Sequence, residues 1–99
     1  MRAIAIDPVE QTTSVTEVHC ETRLIAKRFQ SRANSVARFP NGDVLLAGVS
    51  NATHAFIVGG SKPIVGPALL VGRRLPFGEH APARTSLDDV RSMIRWTSA

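Results

Sequence analysis

Two adjacent guanidiniums, an aromatic ring and an imidazole fall within the short stretch "RRLPFGEH", which supplies Arg73, Arg74, Phe77 and His80. Arginine makes planar, bidentate bonds to carboxylate or phosphate, where a lysine ammonium acts as a point charge. These four residues are therefore a candidate site for a protein partner or a small anionic ligand. The stretch follows an apolar run and precedes a helical pattern, so a sheet and a helix hold its ends, and binding residues concentrate on such loops. The competing account is a solvated exit from the core, with Phe77 folded back and Glu79 paired to an arginine. Charge pairs at strand ends are common and seldom strong.

A second cluster of cations lies in "TRLIAKRFQSRAN" and just beyond: Arg23, Lys27, Arg28, Arg32 and Arg38. At helical spacing Arg23 and Lys27 form one ridge with Gln30, and Arg28 and Arg32 form another. A basic ridge of this kind can follow a phosphate backbone. With 5% aromatic residues, no run of exposed rings for base stacking and no helix-turn-helix or RNA-binding signature, nucleic acid is the alternative partner.

Catalytic patterns are sparse. There is no Cys-x-x-Cys, His-x-x-x-His, Gly-x-Ser-x-Gly or phosphate-loop pattern, and in "GGSKP" Pro63 follows the lysine where a helix would have to start. His19, His54 and His80 come from separate segments without ligand spacing, so no metal or other cofactor is expected. Asp7, Glu17 and Glu21 read as surface carboxylates rather than an acid-base pair. A small enzyme would have to use His80 with Glu79 or Cys20 brought together in a pocket. Cys20 is the single cysteine. Its neighbour His19 should point to the opposite face of a strand, and a lone thiol most often packs as a small hydrophobe.

These side chains must be placed by a short list of elements. Residues 2–7, "RAIAID", read as a strand, and "VTEVHCE" reads as its hairpin partner. A helix is expected over residues 23–32, capped by Thr22 and ended by Asn34, with Leu24, Ile25 and Phe29 facing the core. Asn41-Gly42 between two apolar runs predicts a type I′ hairpin of residues 36–39 against 43–47, with Pro40 able to widen the loop. "HAFIVGG" and "IVGPALLVG" read as further strands, the second bulged at Gly66-Pro67. "RRLPFGEHAPART" reads as an irregular loop, and "SLDDVRSMIRW" as a closing helix capped by Ser86 or Thr85 with Asp88 and Asp89 opposing the dipole. Trp96, flanked by arginine, is an anchor for a homo-oligomer interface or a cover for the core. The expected fold is α+β, a mostly antiparallel sheet of five to six strands with two short helices in the order β-β-α-β-β-β-β-α.

The totals agree with a single domain over residues 1–99: 43% hydrophobic and 20% charged residues suit one folded core. The net charge of +4, from ten arginines and two lysines, permits an anionic partner without requiring one. A codon bias towards Arg, Ala, Gly and Pro explains the arginine content equally well. No apolar run approaches the roughly 20 residues of a membrane helix, and neither a signal peptide nor a disulfide pair is present, so a cytoplasmic location is expected.

The opening "MRAIAIDPVEQTTSVTEV" resembles the start of a family of small uncharacterised proteins carried by phages and plasmids. "NGDVLLAG" and "IVGPALLVGRRL" are similar to that family's hydrophobic hairpin and closing strand. The resemblance implies an accessory protein of a mobile element, or an inhibitor of host machinery, that acts by covering a surface and needs no catalytic group. A non-enzymatic binding protein using residues 73–80 is the first expectation.

Overall fold

Two four-residue runs, "VLLA" and "ALLV", are buried at every position, and a strand that is apolar on both faces must be covered on both. They form the middle of the sheet. A computed structural model describes residues 1–98. The chain runs β1 (Arg2–Asp7), β2 (Thr12–Glu17), α1 (Thr22–Phe29), β3 (Asn34–Arg38), β4 (Val44–Ala47), β5 (His54–Val58), β6 (Ile64–Val65), β7 (Ala68–Val71), α2 (Leu87–Met93) and β8 (Ile94–Ser98). A five-stranded antiparallel sheet has the order β2-β1-β7-β4-β3, and a three-stranded one the order β6-β5-β8.

Alternation sorts the large sheet's side chains into two cores. Ile4, Ile6, Leu45, Ala47, Ala68 and Leu70 pack with Phe56, Val58 and Ile64 of the small sheet and with Val90 of α2. Ala3, Val44, Leu46, Leu69 and Val71 pack with Ile25 and Phe29 of α1. The molecule is α+β, with α1 on one face of the large sheet and the small sheet plus α2 on the other.

Several expected boundaries move, each for a physical reason. The run through Gly66-Pro67 is two strands in different sheets, β6 and β7. Gly66 takes φ +78°, and a Cβ there would lie 2.6 Å from Ser50 Oγ, so only glycine fits the change of sheet. The closing helix stops at Met93 and the chain continues as β8. Ile94 and Trp96 sit opposite Val58 and Phe56 on β5, where their β-favouring side chains reach the core. With β6 and β8 added, there are eight strands among the described residues rather than five to six.

Helix α1 ends at Phe29 because Gln30 adopts the left-handed conformation, φ 55°, so Arg32 lies beyond it and Asn34 begins β3. Strand β2 ends at Glu17, short of Glu21. In the Asn41-Gly42 turn only Gly42 has positive φ, 93°, so the loop is not type I′. It spans residues 40–42, closed by Phe39 N–H donating to Asp43 O at 2.8 Å. Ser86 caps α2 as expected, its Oγ accepting from Asp89 N at 3.1 Å.

Asp43, directly after that turn, is fully buried. Its Oδ2 accepts from Arg84 N at 2.9 Å, Thr85 N at 2.8 Å and Thr85 Oγ1 at 2.7 Å. Asn41 supports the arrangement, donating from Nδ2 to Thr85 Oγ1 at 3.0 Å. One carboxylate thus joins the β3–β4 turn to the segment that enters α2. Replacing Asp43 with Ala removes the acceptor of the buried Thr85 N–H and hydroxyl and of the part-buried Arg84 N–H, and should lower unfolding free energy by about 2–4 kcal/mol. Urea denaturation reads this, against Asp88→Ala, whose exposed side chain should change it by about 0.5 kcal/mol or less.

Candidate functional site

The stretch after β7 begins with a glycine that cannot be replaced. A Cβ on Gly72 would lie 2.4 Å from the carbonyl oxygens of both Ala81 and Pro82. The missing side chain lets the returning backbone close against it: Gly72 N donates to Ala81 O at 2.8 Å, Ala81 N to Arg73 O at 2.9 Å and Leu75 N to Glu79 O at 2.8 Å. Arg74 and His80 are directly opposed. The irregular loop expected from the sequence is instead a hairpin over residues 72–81. Pro76 and Phe77 form its tip, and Gly78, φ +78°, supplies the left-handed residue that a short hairpin loop uses.

The hairpin is also held from the side. Cys20 O accepts from His80 N at 2.8 Å, and Gly78 O accepts from Thr22 N at 3.0 Å and from Thr22 Oγ1 at 2.9 Å. Thr22, expected to cap α1 with its side chain, spends its hydroxyl on this contact, and the N-cap is Glu21 without a side-chain bond. The backbone on both sides of Phe77 is therefore fixed. Phe77 is 90% exposed, the most exposed of the large apolar side chains described. It does not fold back on the core.

Arg73 and Arg74 are exposed. Among the described residues the ion pairs are those of the Met1 amino group with Glu17 and of Arg23 with Glu21, so neither Arg73 nor Arg74 has a carboxylate partner. Glu79, expected to pair with an arginine, instead places Oε2 3.9 Å from Cys20 Sγ.

His80 departs from the expectation of a partner-binding side chain. It is 5% exposed, with Nδ1 3.0 Å from Gly72 O. A carbonyl only accepts, so Nδ1 carries the proton and the ring braces the base of the hairpin. Alternation along the returning strand explains this: Glu79 and His80 point to opposite faces.

The basic cluster is divided by the fold. Arg23, Lys27, Arg28, Arg32 and Arg38 are all exposed. The Thr22–Gly78 contact puts the start of α1 against the hairpin tip, and Arg23, the next residue, is ion-paired with Glu21 at 3.1 Å. Arg28 lines a shallow cleft at the helix's other end with Gln30, Gly48 and Pro67. Arg38 pairs with Val44 of β4, which pairs with Val71 of β7. It thus reaches the same end of the large sheet as Arg73. Arg84, exposed and bonded through its N–H to Asp43, arrives there too. Sequence reasoning overlooked Arg84, because only the buried Asp43 brings it to this end.

The remaining candidates do not converge. His19 Nδ1 accepts from Glu21 N at 3.3 Å, and His54 is exposed on β5. Among the described residues no three His, Cys, Asp or Glu side chains gather as metal ligands would, and no hydrogen bond joins His80 to Cys20 through their side chains. Trp96 is half-buried, edge-on to Phe56 with ring centroids 6.3 Å apart. It borders a shallow cleft with Gln11, Thr13 and Arg91. No described helix is long and apolar enough to cross a membrane.

Neither family models, curated proteins nor solved structures provide a match to this chain. Gly72→Ala should cost at least about 2 kcal/mol in a denaturant titration, since backbone atoms must move to admit the methyl group. Phe77→Ala should change the same quantity by about 0.5 kcal/mol or less.

Proposed function

We propose that this protein is a non-enzymatic binding module whose docking surface is the 72–81 hairpin, and that its partner is a protein presenting an acidic face with an apolar recess. The observation that carries this reading is Phe77, 90% exposed on a backbone fixed from both sides. An exposed ring contributes nothing to the stability of the free protein, whereas an interface gains an aromatic anchor whose backbone is already ordered. Arg73 and Arg74, free of internal carboxylates, supply bidentate donors at the rim. The resemblance to phage- and plasmid-borne proteins agrees with an accessory or inhibitory role, and a single unpaired cysteine suits a reducing, cytoplasmic setting.

A second reading, nucleic-acid binding, draws on the contact between Thr22 and Gly78. That contact sets an exposed aromatic beside a helix bearing Arg23 and Lys27, a pairing of base-stacking ring and phosphate-binding cations.

Titration of the protein with polyglutamate and with single-stranded DNA at low and physiological salt separates the two. Arg73→Ala combined with Arg74→Ala should weaken polyglutamate binding at least about tenfold while leaving Tm within about 2 °C of the parent. DNA binding that falls steeply with salt and is lost on replacing Arg23, Lys27 and Arg28 would replace the first reading with the second.

A further inference from the structure

Strand β3 is the last strand of the large sheet and pairs with β4 alone. A terminal strand offers a row of backbone donors and acceptors to any extended chain that approaches it, and proteins usually blunt such edges. Here the register shifts between Ser35 and Ala37, making Val36 the extra residue of a bulge. The bulge limits indiscriminate pairing and re-aims one side chain. Val36 is 41% exposed and lines two adjoining clefts. One continues past Phe39, Val58 and Met93, the other past Ile64, Val65 and Pro63, and Ser61 is common to both. Together they form an apolar groove between the free edge of β3 and the turn that joins β5 to β6.

The charge of this groove is one-sided. Its charged lining residues are Arg38 and Lys62, both exposed, and no acidic residue lines either cleft. Neither cation is ion-paired among the described residues. A second copy of the chain would bring Arg38 and Lys62 towards another cationic groove in a protein of net charge +4, which opposes self-pairing. An extended peptide with alternating apolar and acidic residues meets the requirements: backbone bonds to β3, one row of side chains in the groove and carboxylates on the rim.

We infer that the β3 edge and its groove form a second docking site, separate from the 72–81 hairpin, which takes an extended acidic peptide by strand addition. The peptide's N–H and C=O groups bond to the free edge of β3. Its apolar side chains lie against Val36, Phe39 and Ile64, and its carboxylates meet Arg38 and Lys62.

Fluorescence anisotropy with a labelled peptide of alternating valine and glutamate tests this, with a valine-lysine peptide as the comparison. The glutamate peptide should bind at least about tenfold more tightly than the lysine peptide. Val36→Asp and Lys62→Glu, both at surface positions and each checked for an unchanged circular dichroism spectrum, should each weaken it by a similar factor. Arg73→Ala with Arg74→Ala should leave it unaltered, which separates this site from the hairpin. Amide hydrogen exchange should show new protection in β3 when the peptide is added. Equal binding of the two peptides, binding indifferent to Val36→Asp, or no new protection in β3 would each overturn the proposal. So would sedimentation showing a dimer of the free chain that Val36→Asp dissolves, because the groove would then belong to a second copy.

Discussion

The architecture follows from one constraint: β4 and β7 are apolar on both faces, so neither face of the large sheet can meet water. Helix α1 covers one face through Ile25 and Phe29, and the small sheet with α2 covers the other through Phe56, Val58, Ile64 and Val90. The chain must therefore leave the large sheet after β4, build part of a second sheet and return as β7. That detour explains why β4 and β7 are neighbours in space though β5 and β6 lie between them in sequence. It also explains Gly66, where the chain crosses from one sheet to the other in a conformation and a space that exclude a side chain.

A second consequence appears at the end of the sheet where β7 finishes. The chain still has to reach α2 on the far side, and it does so through a hairpin rather than a slack loop. Gly72 admits the returning backbone, His80 braces it from beneath, Thr22 grips its tip, and Asp43 fastens the segment beyond it. Each of these groups is buried or shared with another element, while Arg73, Arg74 and Phe77 are left outside. The division is the physical basis for reading the hairpin as a display. A flexible loop would have to be ordered on binding at about 1–2 kcal/mol for each residue whose backbone is fixed. A backbone already fixed leaves only the side chains themselves to order.

Much of this was legible in the sequence, and the misses share a cause. The α+β class, the first strand, the Asn-Gly connection and the Ser86 cap rest on local signals: alternation, turn chemistry and a hydroxyl before two aspartates. What local signals cannot carry is partner choice. "SLDDVRSMIRW" has helical spacing up to Met93 and strand-forming residues after it, and only the availability of β5 decides that Ile94 and Trp96 join a sheet. "IVGPALLVG" reads as one interrupted strand because the sequence does not show that two sheets claim its halves. His80 looked accessible in a polar stretch, but its ring is buried with Nδ1 3.0 Å from Gly72 O, a contact made only when the chain folds back on Gly72. The same limitation hid Asp43 and Arg84, which become neighbours only across the fold.

The distribution of charge adds a final step. Where the fold ties down a guanidinium it supplies acceptors: half-buried Arg2 donates to the carbonyls of Ala83 and Thr85, and Arg91, though exposed, donates to Thr13 Oγ1 and O. Arg38, Lys62, Arg73, Arg74 and Arg84 receive no such provision and stay in water. Of the eight acids, Asp7 and Glu10 lie at the β1–β2 turn, Glu17 on β2, and Asp88 and Asp89 in the first turn of α2, where they oppose the helix dipole; Asp43 is buried, and Glu21 and Glu79 lie beside the hairpin, engaged with Arg23 and Cys20. Surface cations without a carboxylate partner do little for stability, since even paired ones contribute about 0–1 kcal/mol. Their field acts on whatever approaches, and in this chain it is concentrated beside the two surfaces that the fold leaves open, the hairpin tip and the edge of β3.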